Sequence, residues 1–243
     1  MSMPNKRGKR IAQQILSVFE TGTPEGDYGA VAVLQDGAGI SYGLHQATDR
    51  ADNLDEIVRR YIEREGTYAD ALREYVPRLE RDESASVDPA ELSAWVLDLM
   101  DTLQRAGRED PIMKATQDEV FDERYWQPAA DQAEGMGLVH ALSWAVIYDS
   151  CIHSGPGNVA KIRGMFSEVP PSKGGDEKLW TAAYVRARWS WLSLYPNDRV
   201  RMTRARPEAF QRLIDADNWG LKLPITMLGV TIDKPVKDAD RLV

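Results

Sequence analysis

The chain has one cysteine, Cys151, in 243 residues, so no intrachain disulfide can form and the fold must rest on packing and hydrogen bonds. That thiol lies in an apolar stretch, where a small packed side chain is the simpler reading. Long apolar runs are missing too: none approaches the roughly 18 residues of a membrane span. Positive charge is scarce, with 30 Lys and Arg against 38 Asp and Glu, a net charge of -8 and a pI near 5.0. Such a surface repels nucleic acid and anionic membranes and attracts a cationic substrate. Three histidines, His45, His140 and His153, are too scattered for a zinc pattern and read as packing or hydrogen-bonding residues. There are no internal repeats, and the charged segments read as solvated helix faces.

What is present is a chain 43% hydrophobic, long enough for a substantial core as one large domain (1–243) or two lobes sharing a cleft. Over Lys9–Glu20 the apolar residues Ile11, Ile15, Leu16 and Phe19 recur at helical spacing, and Glu20 closes that helix. Thr21–Asp27 is a Gly/Pro/Thr loop. AVAVL and ISYGL then flank an Asp-Gly turn at Gln35–Gly39, which predicts a hairpin over 29–45 with Asp36 at its tip or strand end.

Helices are expected over Leu54–Glu65 and Tyr68–Glu80. A polar linker, Asp82–Asp88, then marks the lobe boundary near residue 85, and Asp88-Pro89 suits a new helix start. The remainder, 86–243, reads as helical: Glu91–Gln104, Met113–Phe121, Asp131–His153, a short helix from Asn158, Glu177–Leu194 and Pro207–Ala216. The hairpin is the one sheet signal.

Glu20 and Asp36 therefore sit on different elements and can face each other across a cleft. Hydrolysis of a glycosidic bond needs such a pair, one carboxyl group to protonate the leaving oxygen and another to activate water or attack the sugar. The plainer reading of each is a solvated helix-end glutamate and an Asp-Gly turn residue.

Further along, Leu138, Leu142 and Val146 mark a core stripe that Asp149 continues, and a buried aspartate needs a partner. On the later helix Trp180, Tyr184, Trp191 and Tyr195 mark a stripe that carries Arg188. The two charges form either a structural salt bridge or a relay that tunes a catalytic carboxyl group. Trp126, Trp144, Trp189, Trp191 and Trp219 offer flat faces for sugar rings, with Trp144 and Trp191 better read as core.

Taken together, the helix-ending Glu20, the segment Tyr28–Asp36 leading into DGAGIS, ERYWQPA at Glu123, YDSCIHSGPGN at Tyr148, GGDE at Gly174 and RPEAFQRLIDADNWGLKLP resemble the chitosanases of glycoside hydrolase family 46. The resemblance implies a mainly α (α+β), two-lobed, lysozyme-like fold with a small sheet at the cleft. It also implies inverting endo-hydrolysis of β-1,4 bonds in an amino-sugar polysaccharide, chitosan, without metal or organic cofactor.

Carried over residue by residue, the resemblance makes Glu20 the general acid and Asp36 the general base. Ser41 falls where the family holds water with a threonine hydroxyl. Asp149 and Arg188 match a charged network behind the acid, joined by Arg204 or Arg206, and Tyr28, Asp52, Asn53 and His153 stand at substrate-binding positions. Inversion would set the two carboxyl groups about 6.5–9.5 Å apart, with room for a water.

Two positions depart from the family pattern, Ala38 in place of an arginine and Asn53 in place of an aspartate that reads the sugar amine. Both concern binding. They keep peptidoglycan open as an alternative polymer, as for a phage lysin or antibacterial toxin, and a non-catalytic sugar-binding module remains a third reading. The basic start KRGKR leads into an amphipathic stretch, so no cleavable signal peptide is read, although the polymer implies action outside the producing cell.

Overall fold

The computed structural model describes residues 6–34, 37–44, 46–49 and 53–235. Helix α1 (Lys6–Thr21) buries Ile11, Ile15, Leu16 and Val18. Phe19 is partly buried and meets Phe210 edge-on, with ring centroids 5.7 Å apart. Three antiparallel strands follow in the order β1 (Val31–Val33), β2 (Ile40–Tyr42) and β3 (Ala47–Thr48). Val31 pairs with Tyr42, Ala32 with Ser41 and Val33 with Ile40, while Ser41 pairs on its other side with Thr48. The expected hairpin is thus present in both its strands, and β3 is an addition that sequence did not suggest.

Helix α2 (Leu54–Glu63) is followed by two short helices, α3 (Ala69–Arg73) and α4 (Val76–Leu79), where one helix was expected. Pro77 explains the break, since it has no N–H for the carbonyl of Arg73 and its ring crowds that carbonyl. The supposed linker holds a 3₁₀ turn, Glu83–Ser86. Asp88 is spent on a local turn in which its Oδ1 accepts from Ala90 N at 2.8 Å, so α5 (Ala94–Glu109) starts later than Asp88-Pro89 implied. Asp110 caps α6 (Pro111–Phe121), accepting from Ile112 N.

After a π-helical turn, Asp122–Trp126, come α7 (Gln127–Gly135) and α8 (Ala141–Ser154), where one helix was expected from Asp131 to His153. The interruption is a Schellman ending: Leu138 N donates to Ala133 O, Gly137 N donates to Glu134 O, and Gly137 has φ +75. Leu138 therefore lies buried in the connection, not on α8.

Then follow α9 (Pro156–Arg163), α10 (Glu177–Ser193), α11 (Asp198–Met202) and α12 (Ala205–Asp215). A second hairpin, β4 (Ile225–Met227) and β5 (Val230–Ile232), was not expected. Its two-residue turn, Leu228 and Gly229, has φ +48 and +85, the positive values that tight hairpins require. The fold is mainly helical with a small antiparallel sheet, as the sequence implied.

The described residues gather into two compact units, one of residues 6–25 with 123–235 and one drawn from residues 26–122. The stretch near residue 85, expected to divide the lobes, lies inside the second unit.

In the first unit α8 is the centre, packed by α1, α7, α9, α10 and α12. It is buried almost all round from Leu142 to Cys151 rather than along one stripe. In the second unit α2 and α5 pack on α6, and α5 also meets β1. There the backbone of α5 comes so close that a Cβ on Gly107 would stand 2.1 Å from the carbonyl oxygen of Tyr28.

Candidate active site

Glu20 ends α1 with its side chain 29% exposed, and its Oε1 lies 2.5 Å from Nη2 of Arg206 on α12. The Nη1 of Arg206 lies 2.9 Å from Oδ1 of Asp149 on α8, whose Oδ2 is 2.5 Å from Nη1 of Arg188 on α10. The four side chains make one row of alternating formal charge, Arg188, Asp149, Arg206, Glu20, that starts in the core and ends at the surface. Arg206 is further held by the ring of Phe19, 5.1 Å from its guanidinium carbon, and by a 3.4 Å bond to Phe19 O.

The sequence left Arg204 and Arg206 open; the structure brings Arg206 into the row. Residues two apart on a helix point to different sides. Arg204, at the N-cap position of α12, is exposed.

Burial alone would raise the Asp149 carboxyl, but Arg188 and Arg206 outweigh it and hold it below the usual carboxylate range. Burial lowers the ionisation of Arg206 as well, and Asp149 and Glu20 more than restore it. Arg188 is wholly buried on the run Trp180, Tyr184, Arg188, Leu192, whereas Trp191 and Tyr195 fall off it. Its Nε and Nη2 have no hydrogen-bond partner among the described residues.

His153, one turn beyond Asp149, is lowered to about 4 by burial and by Arg206 and Arg188, with Asp149 opposing. It is a neutral ring beside the buried row, its Nδ1 3.3 Å from Ser154 Oγ.

The second unit carries Ser41 on β2. It has no exposed surface, and its Oγ donates to Oε1 of Gln46 at 2.6 Å. Gln46 Nε2 donates to Gly43 O at 3.0 Å. The start of the same strand is held from elsewhere: Ile40 N donates to Ser84 Oγ at 2.9 Å, and Ser84 Oγ donates to Oδ2 of the buried Asp49 at 2.6 Å. A Cβ on Gly39 would meet Ser84 Oγ at 2.4 Å, so only glycine lets this turn close on that serine.

Tyr28 donates its hydroxyl hydrogen to Asp118 Oδ1 at 2.8 Å. Asn53 stands buried at the N-cap position of α2. Asp36 and Asp52 lie outside the described residues.

Three of the five tryptophans offered for sugar stacking, Trp126, Trp144 and Trp219, belong to the core. Trp126 stacks on Trp144 with centroids 6.1 Å apart, and Trp219 is 7% exposed. Trp189 is exposed, its Nε1 donating to Glu208 Oε1 at 2.8 Å.

Gln46, Asp49 and Ser84 escaped the reading of the sequence, because polar residues in short irregular segments carry no periodic signal. Among the described residues no group of three or more His, Cys, Asp or Glu is placed to hold a metal ion, and no helix is long and apolar enough to cross a membrane.

The profile of Glycosyl hydrolase family 46 matches residues 14–225. A chitosanase of Bacillus subtilis (strain 168) is 31% identical over 237 residues, which cover 91% of this chain and 82% of that protein. A GH46 chitosanase of Gynuella sunshinyii, solved in complex with chitotetraose, superposes with a TM-score of 0.80 at 26% identity, covering 97% of this chain and all of the other. A mutant chitosanase of Bacillus subtilis MY002, complexed with 6 GlcN, gives 0.78 at 28% identity, covering 95% of this chain and 97% of the other.

Proposed function

The chain belongs to glycosyl hydrolase family 46 and is a glycoside hydrolase; from that premise we propose that it cleaves β-1,4 bonds within chitosan with inversion at the anomeric carbon. Glu20 gives its proton to the leaving glycosidic oxygen as the bond from that oxygen to the anomeric carbon breaks. A water attacks the opposite face, its oxygen bonds to the carbon, and its proton goes to Asp36. Ser41 orients that water. Before the next turnover Asp36 gives its proton up to solvent and Glu20 takes one from it.

The observation that carries this reading is the row of charges ending on Glu20. A buried ion pair is weak evidence for stability, and one that leaves two nitrogens of Arg188 without a hydrogen-bond partner among the described residues is a poor device for stability alone. Its reach from the core to a partly exposed carboxyl group suits a role in orienting an acid, since Arg206 holds Glu20 through Oε1. The acidic surface suits a polymer of protonated amino sugars.

The test is release of reducing ends from highly deacetylated chitosan by the wild type and by Glu20→Gln, with the anomer first formed followed by proton NMR. Release by the wild type, loss in the variant and an initial α-anomer support the proposal. A β-anomer overturns inversion, and full activity of Glu20→Gln overturns the acid.

A second reading, peptidoglycan as the polymer, draws on Asn53, an amide where the family pattern reads the sugar amine with a carboxylate. Digestion of purified sacculi with no release from chitosan would favour it.

A further inference from the structure

The hydroxyl of Ser41 has one hydrogen, and the surrounding bonds fix where it goes. The carbonyl oxygen of Gly43 can only accept, so the side-chain atom of Gln46 that lies 3.0 Å from it must be the amide nitrogen. The other end of that amide is then the oxygen, an acceptor, and it lies 2.6 Å from Ser41 Oγ. Ser41 must therefore donate to Gln46. Gly43 is itself anchored, since its N–H donates to Ala30 O at 2.7 Å and a Cβ there would stand 2.1 Å from Gln117 Oε1.

Gln46 holds this geometry at φ +57, a left-handed backbone that a non-glycine side chain rarely adopts. Strain of this kind persists where the surroundings over-determine it, and it clusters at functional sites.

We propose that Gln46 is a positioning residue that turns Ser41 into a pure hydrogen-bond acceptor, so that the attacking water gives one hydrogen to Ser41 and the other to the base. This rests on the reading of Ser41 given above. The reason is chemical. A water that attacks an anomeric carbon is the stronger nucleophile when both its hydrogens are donated, because a hydroxyl donating into it would take one of its two lone pairs and draw electron density from the oxygen.

With its hydrogen committed to Gln46, Ser41 Oγ has only lone pairs left. Gln46 touches neither substrate nor water in this scheme and acts through Ser41 alone.

The experiment measures kcat and KM on highly deacetylated chitosan for the wild type, Gln46→Leu, Gln46→Glu, Ser41→Ala and the double variant Ser41→Ala/Gln46→Leu, with melting temperatures alongside. Gln46→Leu removes the acceptor and is expected to lower kcat about tenfold with KM within about twofold. Gln46→Glu keeps an acceptor for Ser41 while losing the bond to Gly43. It is expected to melt lower, yet to recover kcat to within about threefold of the wild type.

The double variant is expected to be no slower than Ser41→Ala, as two residues acting in series require. Equal loss of kcat in Gln46→Leu and Gln46→Glu, tracking the melting temperature, would reduce Gln46 to a structural residue. A loss in Ser41→Ala with none in Gln46→Leu would overturn the inference and leave Ser41 in its role. Full kcat in Ser41→Ala would instead remove the reading beneath it.

Discussion

Arg206 stands between two carboxylates, its Nη2 2.5 Å from Glu20 Oε1 and its Nη1 2.9 Å from Asp149 Oδ1, so one guanidinium is shared by a surface carboxyl group and a buried one. Among the described residues, Arg206→Ala would leave Asp149 with Arg188 as its one ion-pair partner and would remove the ion pair that holds Glu20. It is expected to cost about 3–5 kcal/mol in urea unfolding, since breaking a buried ion pair leaves an uncompensated charge. Reducing-end release from chitosan should fall about a hundredfold or more. Arg204→Ala, on the exposed side, should leave unfolding within about 0.5 kcal/mol of wild type. Equal behaviour of the two variants would refute the assignment.

The depressed ionisation of His153 makes stability depend on pH with a definite sign. Its folded value is about 4 against an ordinary 6.5, so between those limits the unfolded chain takes up a proton that the folded chain refuses. The contribution is fully present above pH 6.5 and is lost as pH falls toward 4, reaching about 3 kcal/mol. The charges of Arg206, Arg188 and Asp149 act on the ring, and of these only Asp149 favours its protonation. Melting curves of wild type and His153→Gln should therefore converge on acidification, with the wild type losing more; parallel curves would count against the effect.

Ser84 both accepts from Ile40 N and donates to Asp49, so Ser84→Ala leaves a buried amide and a buried carboxylate short of partners. The expected cost is about 1–3 kcal/mol. Burial raises the Asp49 carboxyl while Ser84 opposes that rise. A carboxyl with a raised folded value loses its contribution as pH increases through that value. The penalty of Ser84→Ala should accordingly be larger at pH 7 than at pH 4. A penalty independent of pH would show that Asp49 does not feel the serine.

Gly137 ends α7 at φ +75, and a Cβ there would stand 2.8 Å from the backbone nitrogen of Ser172. Gly137→Ala is expected to destabilise the chain by about 1–3 kcal/mol in chemical unfolding, with kcat unchanged. Wild-type stability in this variant would mean that the turn relaxes freely.

The helices with clear caps and periodic apolar residues were legible, and so was the first hairpin, because Asp-Gly between two alternating runs has few other uses. Failures came where one residue overrode a pattern. Gly137 cut what reads as one helix from Asp131 to His153, and Pro77 cut another. Ile225–Ile232 hid a hairpin because its turn is Leu-Gly rather than Asn-Gly or Asp-Gly.

For the candidate site, Asp149 and Arg188 stood out as charges on apolar stripes, which is a long-range fact written into local spacing. The choice of Arg206 over Arg204 was not legible, since it depends on where α12 begins. The bond from Ser41 to Gln46 was not legible either, because it depends on a left-handed residue in a short connection.

The stretch 82–88 looks in sequence like spare chain, polar and poor in pattern, the place an engineer would choose for a tag, an inserted domain or a new pair of termini. Its Ser84 is the peg on which the first residue of β2 hangs. Cutting or lengthening the chain there would loosen the strand that bears Ser41, so the segment most tempting to edit is among the least expendable.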